Sequence, residues 1–194
     1  MSVTFGQITA LAQFTIADPL AGARQVLAMR LPMVARWWLI AFVAVVSALL
    51  AHVSLSLLPP ETMVMIASSV LNPISSALGQ GLYLVVVALA IHRIGRWWGG
   101  IGSFADTLLL VGWMHTILLA VMAAEIVAQL ILPPLAVGIS LLGIGLFMWL
   151  LTSFITELHG FKSRGSVFLG ILGTIFGLAM IIAFALSSLS PAGA

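Results

Sequence analysis

The chain has 194 residues, of which 62% are hydrophobic and only 6% are charged, and its mean hydropathy is +1.27. This composition excludes a water-soluble globular domain, because too few polar side chains are present to cover an exposed surface, and it predicts an integral membrane protein. The net charge of +2 is too small for a nucleic-acid-binding surface, and the absence of cysteine excludes disulfides, thiolate metal sites and a cysteine nucleophile.

The first predicted element is a cytosolic or interfacial amphipathic segment at residues 1–36. No Lys or Arg precedes Arg24, so a cleavable signal peptide is not expected, and the first membrane span should act as an uncleaved signal. Asp18 followed by Pro19 is typical of a helix start. The helix that follows has one apolar stripe, formed by Leu20, Ala23, Leu27 and Leu31. This pattern predicts a helix in the headgroup layer, although a helix packed on the membrane bundle has the same pattern.

Five long apolar segments follow, each able to cross a hydrocarbon layer about 30 Å thick as a helix. We therefore predict an all-α, polytopic membrane protein with a transmembrane domain at 37–194 and spans at about 37–58, 73–91, 106–132, 135–155 and 167–189. The connector at 62–72 is weakly amphipathic and compatible with a short interfacial helix. Residues 92–100 are expected to form a compact loop. Pro133-Pro134 makes the turn between spans three and four so short that these spans should form an antiparallel hairpin.

Every basic residue falls on one side of this five-span topology: Arg24, Arg30, Arg36, Arg93, Arg96, Lys162 and Arg164. We call this side the basic end of the protein, and the opposite side the far end. Because Lys and Arg are retained on the cytosolic side of membranes, this distribution predicts an N-terminus in the cytosol and a C-terminus outside. A topology with four or six spans would break this pattern.

The tripeptide Arg-Trp-Trp occurs twice at the basic end, as Arg36-Trp37-Trp38 and as Arg96-Trp97-Trp98. Tryptophan favours the membrane interface, where its ring stays among headgroups while its N–H reaches water. With Arg93, these residues form a candidate interface for lipids or partner proteins, and simple anchoring is the alternative. Glycines on one face of span five, Gly170, Gly173 and Gly177, predict close helix packing, either within the chain or in a homodimer.

Span three carries ionisable groups along its length, at Asp106, His115 and Glu125. At about 1.5 Å per helical residue, His115 lies about 13 Å and Glu125 about 28 Å from Asp106, near mid-depth and near the far interface. His115 could bond to a neighbouring helix or take part in function, and Glu125 with Gln129 could form an interfacial seam or the mouth of a cavity. His115, Glu125 and Gln129 are the candidate polar intramembrane site.

A second group of polar residues is expected to cluster at the basic end: Asp106, Glu157, His159, Lys162 and Arg164. Ion pairs with each other and with Arg93 and Arg96 are the simplest role for this group. A metal site is disfavoured because Glu157 and His159, two residues apart, face different directions on a helix. Gly160 is predicted to end that helix as its C-cap. Since no hydrolase, zinc-protease or nucleotide-binding motif is present, we predict no catalytic residue, no metal, no cofactor and no enzymatic activity.

Several of these features together resemble the bacterial Yip1 family. They are Asp18-Pro19-Leu20 with the helix after it, Pro32 and Arg36 before span one, the five spans, and Leu158-His159-Gly160-Phe161-Lys162-Ser163 before a glycine-rich last span. The resemblance implies a five-span bundle with a cytosolic N-terminus. A bacterial member is expected in the inner (cytoplasmic) membrane, with its C-terminus in the periplasm. Eukaryotic relatives contact Rab GTPases and other membrane proteins, but the Asp-Leu-Tyr-Gly-Pro type motif is absent here and the only tyrosine, Tyr83, lies inside span two. Rab binding is therefore not expected.

Two functions from different classes fit the sequence. The first is a non-enzymatic membrane scaffold or accessory protein whose partners are the lipid bilayer, other membrane proteins or a second copy of itself, and not nucleic acid. The alternative is a small-molecule or ion transporter with a path near His115, Glu125 and Gln129. A transport path requires a hydrated cavity, whereas a bundle filled with apolar side chains would exclude it.

Overall fold

A computed structural model describes residues 4–58 and 72–189, and within these ranges the chain forms seven helices. They are α1 (Phe5–Ala17), α2 (Pro19–Ala28), α3 (Met33–Ser56), α4 (Pro73–Trp97), α5 (Phe104–Ile131), α6 (Pro133–His159) and α7 (Arg164–Leu189). The last five are long and apolar enough to cross a membrane, which confirms the predicted all-α, five-span fold. The hinge at Pro59-Pro60, the connector at 62–71 and the tail from residue 190 onward lie outside the described residues.

The helix ends follow the local signals of the sequence. The Asp18 side chain accepts a hydrogen bond from the Ala21 N–H at 3.1 Å, and Pro19 opens α2, as predicted. Gly160 takes a left-handed conformation, with φ +68°, and ends α6, which confirms the predicted C-cap. Only Leu132 separates α5 from α6, and the two helices pack along each other, so the predicted antiparallel hairpin is also confirmed.

The helices extend past the predicted span limits at the basic end. The loop predicted at 92–100 is wrong for its first six residues, because α4 continues to Trp97. The apolar pattern ends where the hydrocarbon ends, whereas backbone hydrogen bonding can continue the helix into the headgroup region. The Gly100 N–H then donates a hydrogen bond of 2.8 Å to the Gly95 carbonyl and closes the helix.

Helix α5 is the centre of the bundle and packs against α2, α3, α4 and α6. In its most apolar stretch 56% of the residues are buried, compared with 6% for α7, which packs mainly on α6. The apolar core lies in the half of the bundle nearest the basic end. Fully buried core side chains include Leu84, Leu108, Leu109, Leu110, Met114 and Leu150.

The N-terminal helices pack on this core. Ala23 and Val26 of α2 are buried in one apolar cluster with Leu109, Trp113 and Phe154. Of the two interpretations of the α2 stripe, the structure therefore supports packing against the bundle. Helix α1 is tied to the same place, because the Trp113 indole N–H donates a hydrogen bond of 3.2 Å to the buried Thr15 hydroxyl.

Close helix approach uses glycines other than those the sequence singled out. A Cβ added at Gly170, Gly173 or Gly177 would meet no described atom within 4 Å, so the prediction that these glycines pack within the chain is wrong. A Cβ at Gly22 would instead lie 2.7 Å from the Thr15 Cα, and one at Gly112 would lie 2.9 Å from the Leu39 side chain. These two glycines allow α1 to meet α2 and α3 to meet α5.

Candidate functional site

The first ion pair at the basic end joins α3 to α5. Arg36 Nη1 lies 2.8 Å from Asp106 Oδ1, and Arg36 Nε donates a hydrogen bond of 2.8 Å to the Leu31 carbonyl. The Arg36 side chain is only 9% exposed, whereas that of Asp106 is 39% exposed. Asp106 is also held by Ser103, whose hydroxyl donates to Asp106 Oδ2 at 2.6 Å. Arg36 is thus a buried structural cation and does not reach the surface beside Trp37 and Trp38.

The second ion pair joins the N-terminal segment to α6. Arg24 Nε lies 3.0 Å from Glu157 Oε2, with the Arg24 side chain 63% exposed. Nearby, the Arg164 guanidinium lies 5.5 Å from the centre of the Trp149 ring. The predicted cluster is therefore divided, because Asp106 pairs with Arg36 and Glu157 with Arg24, and neither carboxylate pairs with Arg93 or Arg96. Lys162 is exposed in the turn before α7.

His159 is surrounded by three glycines that the sequence did not connect to it. A Cβ at Gly95, Gly100 or Gly102 would overlap His159 atoms or press on its neighbour Leu158, so each position needs glycine. The Gly102 N–H donates to His159 Nδ1 at 3.3 Å, and the Ile101 N–H donates to the His159 carbonyl at 3.3 Å. We call His159 with Gly95, Gly100 and Gly102 the histidine cradle. It fixes the turn between α4 and α5 against the end of α6.

The two Arg-Trp-Trp sequences have different surroundings. Trp37 is 42% exposed, Trp38 72%, Trp97 84% and Trp98 63%, so all four indoles are exposed at the basic end. Arg93 and Arg96 are exposed beside the second pair of indoles, whereas Arg36 is buried beneath the first. Without Arg36, the exposed residues of the candidate interface, which we call the tryptophan surface, are Trp37, Trp38, Arg93, Arg96, Trp97 and Trp98.

A separate feature lies in the far half of the bundle, where α3, α4, α5 and α6 enclose a cleft of about 460 Å³. One stripe of α5 lines it, formed by His115, Leu118, Met122 and Glu125. Ser47, Gln80 and Ser140 line it from the other three helices. At about 1.5 Å per residue, the stripe extends about 15 Å, from mid-depth to the far interface. We call this feature the intramembrane cleft.

The polar groups of the intramembrane cleft lie at its two ends. At the inner end, His115 Nδ1 lies 2.9 Å from the Val111 carbonyl. Since a carbonyl only accepts, Nδ1 carries the proton and Nε2 of the neutral ring is an acceptor. At the outer end, the Ser140 hydroxyl donates to the Glu125 carboxylate. Gln129 is not part of the lining and accepts a hydrogen bond of 3.1 Å from Ser54.

The cleft ends at the packed core. Between His115 and the basic end, the side chains of Leu108, Leu110, Val111 and Met114 are buried. The void beside them, next to Ile91 and Phe154, measures only about 10 Å³, which is about the space of one water molecule. Among the described residues, no group of three His, Asp or Glu side chains is placed to hold a metal ion.

Sequence reasoning placed His115 and Glu125 on one helix at two different depths, but it missed Ser47 and Ser140 as cleft residues and Arg24 as the partner of Glu157. The depths of these residues were readable from their positions in the spans. The missing information was the identity of neighbouring helices, which apolar patterns do not specify.

The model of the Yip1 domain matches residues 15–186, which is most of the chain. Comparisons with curated proteins and with solved structures found no match. The matched range includes α2 and all five membrane helices, and therefore the basic end and the intramembrane cleft together. This multi-pass membrane protein thus belongs to the Yip1 family.

Proposed function

We propose that this protein is a non-enzymatic membrane scaffold or accessory protein that binds other membrane proteins or lipids through its tryptophan surface. The observation that carries the proposal is the exposure of Trp38, Trp97 and Trp98, at 72%, 84% and 63%, beside the exposed Arg93 and Arg96. Tryptophan and arginine are the residue types most enriched at binding hot spots, and both also contact lipid headgroups.

The support beneath this surface favours binding over passive anchoring. The turn that follows Trp97 and Trp98 is fixed by the histidine cradle, and the start of α3 is held by the Arg36–Asp106 pair. A preorganised surface loses less conformational entropy when it binds a partner. Anchoring alone would need the indoles but not a rigid turn.

Photo-crosslinking in cells tests the binding proposal. With a photoreactive amino acid in place of Trp97, we expect discrete crosslinked species that contain another membrane protein or a lipid. The matched control is the same amino acid in place of Leu142, which is also strongly exposed, at 76%, but lies within α6 away from the basic end. Crosslinks at position 97 should fall at least several-fold in an Arg93→Gln, Arg96→Gln variant. Equal crosslinking at both positions, or recovery of the protein alone, would count against a specific surface.

We also infer that the basic end faces the cytosol and that the protein resides in the bacterial inner membrane, since all seven basic residues lie at that end. The chain has no cysteine, so single-cysteine labelling requires no background substitution. In intact spheroplasts, a membrane-impermeant maleimide should label Ala192→Cys but not Ser2→Cys, and lysis should expose the second site. Labelling of both sites before lysis would disprove this orientation.

Transport is the second candidate function, and the intramembrane cleft is the observation that favours it. His115 and Glu125 line the cleft, as that hypothesis requires, but Gln129 does not. The packed side chains between His115 and the basic end separate the cleft from the opposite surface. A transport cycle would have to open this core, so we rank transport below partner binding.

A further inference from the structure

The inner part of the intramembrane cleft carries polar groups that are not satisfied by any residue the structure describes. The Ser47 hydroxyl, the Gln80 amide and His115 Nε2 make no hydrogen bond with any described residue. Ser47 is nevertheless buried, at 7% exposure. In an apolar medium an unsatisfied polar group is strongly unfavourable, so a cleft filled only by lipid chains would be unfavourable. The inner end therefore requires water or a polar ligand.

The outer end selects the charge of such a ligand. Glu125 places a carboxylate at the far interface, and Ser140 donates a hydrogen bond to it. None of the described residues that line the cleft is Lys or Arg. An anionic ligand would meet a like charge with no compensating cation, whereas a cation would gain an attractive partner in a site of low dielectric.

The dimensions of the cleft further limit the kind of ligand that it can hold. Its volume of about 460 Å³ lies in the range of small-molecule sites. A bare metal ion would leave most of this space empty. An elongated molecule that spans the distance of about 15 Å between the levels of Glu125 and His115 would fill it.

We propose that the intramembrane cleft is a binding site for a molecule that carries a protonated amine, with its ammonium group at Glu125 and its body directed toward His115. An ammonium group offers three N–H donors and no acceptor, which matches a carboxylate. Hydrogen-bonding groups along the body of the ligand, or waters retained beside it, satisfy Ser47, Gln80 and His115. Either a free amphiphilic amine or the headgroup of an aminophospholipid could supply this chemistry.

Photoaffinity labelling of the full chain tests the proposal. The protein is placed in phosphatidylcholine nanodiscs, whose headgroup has no N–H donor, and exposed to an octylamine derivative that bears a diazirine on its chain. Peptide mapping should place the label on residues that line the cleft. Octylamine should compete with the label, and octanol and octanoate, of the same chain length, should compete at least about tenfold less well.

Two variants separate charge from shape. Glu125→Gln keeps the size of the side chain but removes its charge, and should weaken labelling about tenfold. Ala51→Phe fills the cleft without any change in charge and should also abolish labelling, because Ala51 lines the cleft. Val53→Phe is its matched control, since Val53 lies on the same helix and is 47% exposed outside the cleft. That variant should label like the unmodified protein.

A second experiment, with an added lipid as the competitor, identifies the source of the amine. Phosphatidylethanolamine or, as a control, phosphatidylglycerol is added to the nanodiscs as a minor component. Octylamine competes in either case. Competition by phosphatidylethanolamine as well identifies a lipid headgroup as a source of the amine, and no competition by the lipid identifies a free amine; both results support the site. Labelling spread evenly over the lipid-facing helices, equal competition by octanol, or full labelling of Glu125→Gln would overturn the proposal and leave a cleft that holds only water.

Discussion

Asp106→Asn is expected to lower the free energy of unfolding by about 2 kcal/mol, as measured by SDS titration in mixed micelles. The substitution keeps the size of the side chain but leaves the guanidinium of Arg36, only 9% exposed, without a counter-charge. Loss of one partner from a fully buried ion pair costs about 3 to 5 kcal/mol. We expect a loss below that range because Asp106 is 39% exposed, and solvent already screens part of the interaction.

Removal of the other partner of this ion pair should lower the free energy of unfolding by less. Arg36→Met leaves Asp106 with its bond to Ser103 and with access to solvent, so a loss of about 1 kcal/mol is expected. Glu157→Gln in the exposed second pair is the control, with an expected loss below about 1 kcal/mol, because the Arg24 side chain is 63% exposed. Equal losses for Asp106→Asn and Glu157→Gln would contradict the structural role assigned to Arg36.

Gly95→Ala should be more damaging, with a loss of about 3 kcal/mol or a failure to accumulate as a monodisperse protein. An added methyl group would overlap the imidazole of His159, which is 2% exposed and has little room to rotate away. Overpacking of a core typically costs about 1 to 3 kcal/mol, and the higher value applies because the ring is rigid and enclosed on three sides. The measurement is again SDS-induced unfolding.

The same helix provides a control for this prediction. A Cβ at Gly81 would lie 3.7 Å from the Ala44 side chain, an ordinary contact distance, so Gly81→Ala should be neutral or slightly stabilising through its better helix propensity. His159→Ala removes the ring that the new methyl group would meet. The double variant Gly95→Ala, His159→Ala should therefore be less destabilised than the sum of the two single variants. Simple additivity would show that the cradle does not couple the two residues.

The amino-acid sequence was sufficient to predict where the chain crosses the membrane and how several helices begin and end. Apolar length decides a span, and Asp18, Pro19 and Gly160 act through their own backbone and side-chain chemistry, so no knowledge of distant residues is needed. The predicted spans were too short at the basic end because they were read from apolar length alone. Hydropathy marks the limit of the hydrocarbon, and α4 continues beyond it to Trp97.

Contacts between helices could not be predicted in the same way. Asp106 was correctly placed at the level of several arginines, but its choice of Arg36 depends on α3 lying beside α5. The glycines of the histidine cradle have no helical spacing that would mark them, because Gly95 lies in the last turn of α4 while Gly100 and Gly102 lie in the loop after it. The GxxxG pair of α7, which does have that spacing, makes no close contact with the described residues.

The depth at which the intramembrane cleft ends also bears on how the protein experiences a membrane voltage. Wherever water from the far end fills the cleft, it carries the potential of that compartment inward, and the electric field is then concentrated across the packed core instead of the full bilayer. Moving one charge through the whole field changes the energy by about 2.3 kcal/mol per 100 mV. A cation that enters from the far end and binds at Glu125 crosses only a small part of that field, and its occupancy should depend far more on concentration than on potential.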